Sequence, residues 1–235
     1  MNFYRQLSEF YDTIFPLNEQ SVTFIRSKIA KGPILDLAAG TGNHSIALAK
    51  LGYKVTATDL DQNMVEKIKG KAVANNVPIE THQLAMEELD QFQQTRFSTI
   101  ICIGNSLVHL QSFEDVANVV SEMYDLLDAG GKLFIQTVNY DRVLSDGITK
   151  LPDIERENVA FYRTYEHQQD KIVFKGTLTV ADQTYENEVS LLPLTSGQLG
   201  RILREANFTS VNMYGSFKGE PFERTSPALV VEATK

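Results

Sequence analysis

Between residues 34 and 138, short apolar runs alternate with segments of helical periodicity, and this alternation limits the fold more than any other feature of the chain. Ile34–Leu37 reads as a strand, Ser45–Leu51 as a helix with Gly52 as its C-cap, Val55–Thr58 as a strand and Met64–Asn75 as a helix. Ile79–Leu84 and Phe97–Ile103 follow as strands, Val116–Leu127 as a helix, Gly130-Gly131 as a turn and Lys132–Val138 as a strand. Successive parallel strands need a crossover of about a dozen residues, normally a helix, so the pattern predicts βαβ units. The run from Phe97 to Ile103 is apolar and β-branched on both faces of the pleat, as expected of a strand covered by helices on both sides.

The flanks read differently. Residues 1–31 form a predicted helical cap: one stripe over residues 2–14 at Phe3, Leu7, Phe10, Tyr11 and Ile14, broken by Pro16, and a second at Val22, Ile25 and Ile29. Within residues 140–195 the period falls to two, giving three antiparallel strands at 160–165, 172–180 and 185–192. A helix at Leu199–Ala206 and strands at Phe208–Gly215 and Ala228–Ala233 complete residues 196–235. The expectation is one domain over 1–235: an α/β, doubly wound, mostly parallel seven-stranded sheet with an antiparallel β insertion and an N-terminal helical cap.

With a net charge of −8 and no cluster of Lys and Arg, the chain is expected to bind no nucleic acid, because a phosphate backbone needs a basic surface. Cys102 is the single cysteine and lies inside an apolar run, so it reads as a small buried hydrophobe and no intrachain disulfide can form. The N-terminal stretch carries acidic residues and lacks the apolar core of a signal peptide, and no segment nears the ~20 apolar residues of a membrane span. A cytoplasmic protein without membrane contacts is expected, and its oligomeric state is left open.

The loop Asp36-Leu37-Ala38-Ala39-Gly40-Thr41-Gly42 joins a strand to a helix, where open α/β sheets bind ligands. Glycine permits a tight turn and close approach of a ligand. Two details argue against a dinucleotide. Asp36 would repel a pyrophosphate, and Ser45 stands where G-x-G-x-x-G requires its third glycine. Asp59 ends the second strand, where an acidic side chain accepts hydrogen bonds from ribose hydroxyls.

The run ILDLAAGTGNHSIALAKLGYKVTATDLDQNM, then FSTIICIGNSLVHL and DAGGKLFIQT, resembles the class I S-adenosylmethionine (SAM)-dependent methyltransferases. Segments IGNSLVHL, VNYDRVL and YGSFKGEPF are most similar to glycine N-methyltransferases and related small-molecule enzymes. The resemblance implies a Rossmann-like methyltransferase fold, SAM as cofactor and S-adenosylhomocysteine (SAH) as product. It implies that Gly40, Gly42 and the Ala38 backbone approach the methionine part of SAM, with Asp36 beneath the loop. It implies that Asp59 holds the ribose diol, that Leu60 and Met64 lie at the adenine, and that Ile103 crosses the pocket. Many relatives carry an acidic residue where this chain has Ala85, so adenine recognition would fall to the Met86 backbone and apolar packing.

The cofactor carries the activated methyl group, so the protein's task is to orient an acceptor. No metal is needed, and His44, His82, His109 and His167 lack ligand spacing. The resemblance favours a small amine acceptor, possible catalytic residues being His109 as base, Tyr11 and Asn139. Asn139, Tyr140 and Arg142 follow the fifth strand as candidate substrate contacts, and Arg142, Arg163 and Arg224 are candidate carboxylate partners. Tyr4 and Tyr11 lie on the N-terminal helix, which in this class closes over the site; Phe15 at its end reads as core. Tyr162, Arg163 and Tyr165 would line the inserted roof. Two other functions stay open: a SAM-binding protein without catalysis, and a nicotinamide-dependent oxidoreductase.

Overall fold

The computed structural model describes residues 3–181 and 183–235. The residue-2 start expected for the first helix lies outside that range. Its chain order begins with helices α1 (Phe3–Ile14) and α2 (Glu19–Arg26). Then follow β1 (Pro33–Asp36), α3 (Asn43–Lys50), β2 (Lys54–Asp59), α4 (Gln62–Ala74), β3 (Ile79–Gln83), β4 (Phe97–Cys102), α5 (Phe113–Leu126), β5 (Leu127–Val138) and α6 (Tyr140–Ser145). The remainder comprises β6 (Ile154–Arg156), β7 (Val159–His167), β8 (Ile172–Val180), β9 (Gln183–Leu191), α7 (Ser196–Glu205), β10 (Ser210–Tyr214) and β11 (Ala228–Thr234).

The main sheet has seven strands in the order β10-β11-β5-β4-β1-β2-β3. β11 alone runs antiparallel to its neighbours, β5 and β10. Chain order reverses between β1 and β4, the topological switch point at which such sheets open a ligand crevice beyond their strand ends. Alternation along the strands explains why both faces are covered. Leu35, Ile100, Cys102, Leu133, Ile135, Leu229 and Val231 enter the core beneath α5 and α7, while Ile34, Ile101, Phe134 and Val230 enter the core beneath α2 and α3. Cys102 is buried and free, as its apolar neighbours require.

A second, four-stranded antiparallel sheet has the order β6-β7-β8-β9. One strand more than expected is present: Ile154–Arg156 is too short for periodicity to announce it. Helix α1 packs on this sheet, Phe3, Leu7 and Ile14 meeting Val159, Phe161 and Leu178 in a third core. Other local expectations shift as well. Helix α3 begins at Asn43, its C-cap is Leu51, and Gly52 follows it at φ 86°. Gly130-Gly131 is a bulged part of β5, since the pairing with β4 jumps from Phe97–Leu127 to Thr99–Lys132. Among the described residues no helix is long and apolar enough to cross a membrane.

Candidate active site

Asp36 lies at the end of β1 and is almost wholly buried. Ser45 Oγ donates to its Oδ2 at 2.5 Å, tying the strand end to the first turn of α3. Burial, opposed by that hydrogen bond and helped by the charge of Asp59, raises its pKa to about 7. The carboxylate beneath the glycines thus orders the loop from below.

Above it the chain passes through left-handed backbone at Ala38 (φ 57°), Gly40 (φ 58°) and Gly42 (φ 78°). A side chain at Gly42 would meet Ile68 Cγ1 at 2.8 Å, and one at Gly40 would crowd the Tyr11 ring at 3.2–3.3 Å. Both glycines are therefore spent on fitting protein side chains around the turn, and the loop atoms that face open space belong to Ala38, Ala39 and Thr41.

Asp59 closes β2 and reaches back: Gly40 N–H donates to its Oδ2 at 2.8 Å and Asp61 N–H to its Oδ1 at 3.0 Å. Burial outweighs these bonds and raises its pKa to about 6. Leu60 N–H bears on it as well, and of the carboxylate's roughly four lone-pair sites one remains for a further donor. Next to it Leu60 is 68 % exposed, an apolar face with no protein partner of the kind an adenine ring would cover. Met64, by contrast, is only 5 % exposed and belongs to the buried face of α4. Ala85 N–H donates to Glu88 Oε2 at 2.9 Å, so a carboxylate does stand at this turn, supplied three residues later than expected; Met86 packs on the core beside it.

A cavity of about 680 Å³ opens at the switch point. Its walls come from the α1–α2 turn (Tyr11, Phe15–Asn18, Gln20, Ser21), the β1–α3 loop, Ile103 and Gly104 after β4, Gln136 of β5, and the loop between β10 and β11. Gly104 (φ 102°) and Asn105 (φ 70°) turn sharply there. Gly104 N–H donates to Gln136 Oε1, while Asn105 Oδ1 accepts from Val138 N–H and its Nδ2 donates to Tyr140 Oη at 3.2 Å.

Tyr11 covers Gly40, and burial together with the charges of Asp59, Asp12 and Asp36 raises its pKa to about 12, so it remains a hydroxyl donor. Its helix is fastened to the loop by a polar cluster that the sequence did not announce. Asp12 accepts from Thr41 Oγ1 at 2.5 Å and Asn43 Nδ2 at 2.9 Å, and pairs with Lys71 of α4 at 2.5 Å. His44 also lines the cavity; its Nε2 lies 2.7 Å from Ser21 Oγ, and burial lowers its pKa to about 4. The Ser21 hydroxyl donates to Asn18 O at 2.5 Å, so the bond with His44 requires the imidazole proton on Nε2.

Several expected contacts sit elsewhere. His109 ends a 3-10 turn (Leu107–His109), is exposed, and is not part of the cavity wall. Desolvation by the surrounding protein lowers its pKa. Asn139 is 1 % exposed and committed: its Oδ1 caps α6 by accepting from Arg142 N–H, and its Nδ2 donates to the carbonyls of Glu223, Arg224 and Ser226. It is a structural clamp and not a substrate contact. Tyr140 is 0 % exposed, bonded to Asn105 and Tyr165, and therefore likewise structural. Arg142 borders a separate cavity of about 570 Å³ with Lys150 and Pro152, and lies 3.8 Å from Asp146. Arg224 pairs with Asp146 at 2.6 Å. Tyr4 accepts from Asn187 Nδ2 on the outer side of α1, and Tyr162 donates to Glu155. Arg163 stacks 5.9 Å from the Phe15 ring and donates to Pro152 O, with a buried Nε that has no partner. No group of His, Cys, Asp and Glu among the described residues is arranged to hold a metal.

Comparison with known proteins adds to this geometry. Residues 34–131 match the methyltransferase domain family. The chain is 27 % identical over 207 residues to the glycine/sarcosine N-methyltransferase of Aphanothece halophytica, covering 86 % of this chain and 75 % of that protein. It is 30 % identical over 188 residues to the glycine/sarcosine N-methyltransferase of Halorhodospira halochloris, covering 79 % of this chain and 68 % of that one. In fold it resembles the crystal structure of an S-adenosylmethionine-dependent methyltransferase from Clostridium acetobutylicum, with a TM-score of 0.84, 17 % identity and 99 % of both chains covered.

Proposed function

This chain belongs to the class I S-adenosylmethionine-dependent methyltransferases, and from that premise we propose that it methylates the nitrogen of a small amine, an amino acid such as glycine or sarcosine foremost. The observation that carries the reading is the 680 Å³ cavity at the switch point, bounded by the α1–α2 turn, the glycine loop and the β10–β11 loop. That space suits the amino-acid tail of a cofactor and a small acceptor. The net charge of −8 and the two N-methyltransferase relatives support the same class of acceptor. A cytoplasmic location belongs to this proposal, supported by the kind of acceptor.

When bound, SAM supplies a methyl group already activated for transfer to a nucleophile. The chain's residues fit it: Asp59 retains acceptor capacity for the ribose, Leu60 offers a flat apolar face, and Ala38 and Ala39 leave loop backbone open to the cavity. The remaining work is orientation and exclusion of water. Phe15 and Ile103 line the acceptor space with apolar surface, and Tyr11 keeps its proton and orients by donating. The titratable groups of the wall are weak bases for an ammonium: His44 has its Nε2 proton on Ser21 and its pKa lowered to about 4, Glu220 accepts from Ser216 and has its pKa lowered, and Tyr11 stays protonated. The amine must therefore arrive unprotonated, its proton having gone to solvent.

SAH release measured across amines, amino acids, phenols and thiols tests the proposal. Turnover is expected with one or more small amines, with kcat/KM rising with pH until the acceptor's own ammonium has titrated. Turnover confined to phenols or thiols would remove the amine while leaving the methyltransferase intact.

A further inference from the structure

The amino-acid tail of SAM is a zwitterion, and so is an amino-acid acceptor. Either brings a carboxylate into a cavity whose floor, formed by Ala38, Ala39 and Ile103, carries no positive charge. The wall contains one cationic side chain, Lys218, on the loop that joins β10 to β11. The surrounding cations are committed elsewhere: Lys71 to Asp12, Lys28 to Glu232, and Arg224 to Asp146. Among the described residues Lys218 makes no direct ion pair, although Glu220 of the same loop is near enough to feel its charge, and the residue is exposed.

The loop that carries it is built to hold a position. Phe217 and Tyr214 pack edge-on against Phe24 of α2, at 5.8 and 5.1 Å between ring centroids. Lys218 N–H donates to Ser216 Oγ, whose hydroxyl donates to Glu220 Oε2 at 2.6 Å. Asn139 clamps the far end through the carbonyls of Glu223, Arg224 and Ser226. Glu220 is thereby engaged by Ser216, and Lys218 is the cationic residue of a wall that also carries this carboxylate.

We propose that Lys218 reads an α-carboxylate in this cavity, making the β10–β11 loop a specificity-determining wall of the enzyme. The chemistry is shared by the methionine tail of the cofactor and by an amino-acid acceptor. The open faces of Ala38 and Ala39 in the same cavity favour the cofactor tail. The inference rests on the methyltransferase reading, and only its acceptor arm depends on the amine.

The test compares wild type, Lys218→Met and Lys218→Arg by calorimetry with SAH and with 5′-methylthioadenosine, which keeps the adenosine and sulfur but lacks the amino-acid tail. Glycine binding is measured beside it on the SAH complex. Loss of about three- to tenfold in SAH affinity with Met, little change with Arg, and unchanged 5′-methylthioadenosine affinity would assign Lys218 to the cofactor's carboxylate. Unchanged SAH affinity with weakened glycine binding would assign it to the acceptor's. Loss of both nucleoside ligands together, or no change in any of the three, would overturn the proposal. Each arm reads binding, so it stands apart from whether an amine is turned over.

Discussion

Asp36 and Asp59 sit within one loop, and burial acts on both in the same direction. Asp36 titrates near 7 in the fold and near 3.8 when exposed, so between those values the folded chain binds more protons than the unfolded one. Its contribution to stability is then present at low pH and lost as pH rises through about 4 to 7, by at most about 4 kcal/mol. Asp36→Asn can still accept from Ser45 and carries no charge, so denaturation midpoints measured from pH 4.5 to 8 should fall less steeply in the variant than in wild type. Parallel curves would mean that Asp36 is ionised throughout. Asp59, with a pKa of about 6, gives the opposite trend in ligand binding. A carboxylate accepts a ribose hydroxyl more strongly than the acid does, so SAH affinity should decline below pH 6. Asp59→Asn should weaken SAH about tenfold or more and flatten that decline. Equal affinity in a folded variant would leave Asp59 only its bonds to Gly40 and Asp61. The positions of these two carboxylates could be read from strand ends and glycines. Asn139 could not be read the same way, because a polar residue after a strand looks alike whether it meets substrate or caps a short helix.

Helix α1 joins three parts of the molecule, and its amphipathic stripe marked only the face turned to one of them. Its apolar face, which the stripe of large residues marked without naming a partner, rests on the inserted sheet through Phe3, Leu7 and Ile14. Its polar face grips the glycine loop and α4 through Asp12, and α4 again through the exposed pair Glu9–Lys67 at 2.6 Å. Those partners are 29 to 59 residues distant in sequence, and no periodicity encodes them. Asp12→Ala removes the acceptor shared by Thr41, Asn43 and Lys71, while α1 keeps its apolar packing. The expected outcome is an unchanged circular dichroism spectrum and SAH dissociation faster by about three- to tenfold in stopped-flow displacement. An unaltered rate would show that α1 does not gate the cavity. The loop between β10 and β11 behaves similarly. Asn139→Ala leaves three carbonyls without their donor in a buried corner, which costs about 2–3 kcal/mol and lowers Tm by roughly 4–12 °C. The short strand β6 and helix α6 were also missed, at 3 and 6 residues too brief for a repeating pattern.

At the scale of the whole molecule, the fold followed from the alternation of strands and helices because each central strand must satisfy two cores at once. A strand such as β4, with Ile100 and Cys102 on one face and Ile101 on the other, is apolar at consecutive positions and has no stable place except between two helical layers. That arrangement fixes the switch point, and with it the site. The acceptor side depends on a roof and on loops whose side chains meet across long stretches of sequence, which is why the strand ends and the glycine loop could be located in the sequence and the contacts of the roof could not. The same division sets a whole-molecule expectation. A ligand that binds only the folded chain at 100 times its dissociation constant adds about 2.7 kcal/mol, which for a chain of 235 residues raises Tm by roughly 5–11 °C. SAH should produce a shift of that size in a thermal melt. NADH should not, because Asp36 lies beneath the loop where a pyrophosphate would sit, and Ser45, which bonds to it, occupies the place of the third glycine. A shift with NADH and none with SAH would overturn the cofactor assignment. A shift with SAH that survives Asp59→Asn undiminished would move the ribose away from β2 and leave the family membership standing.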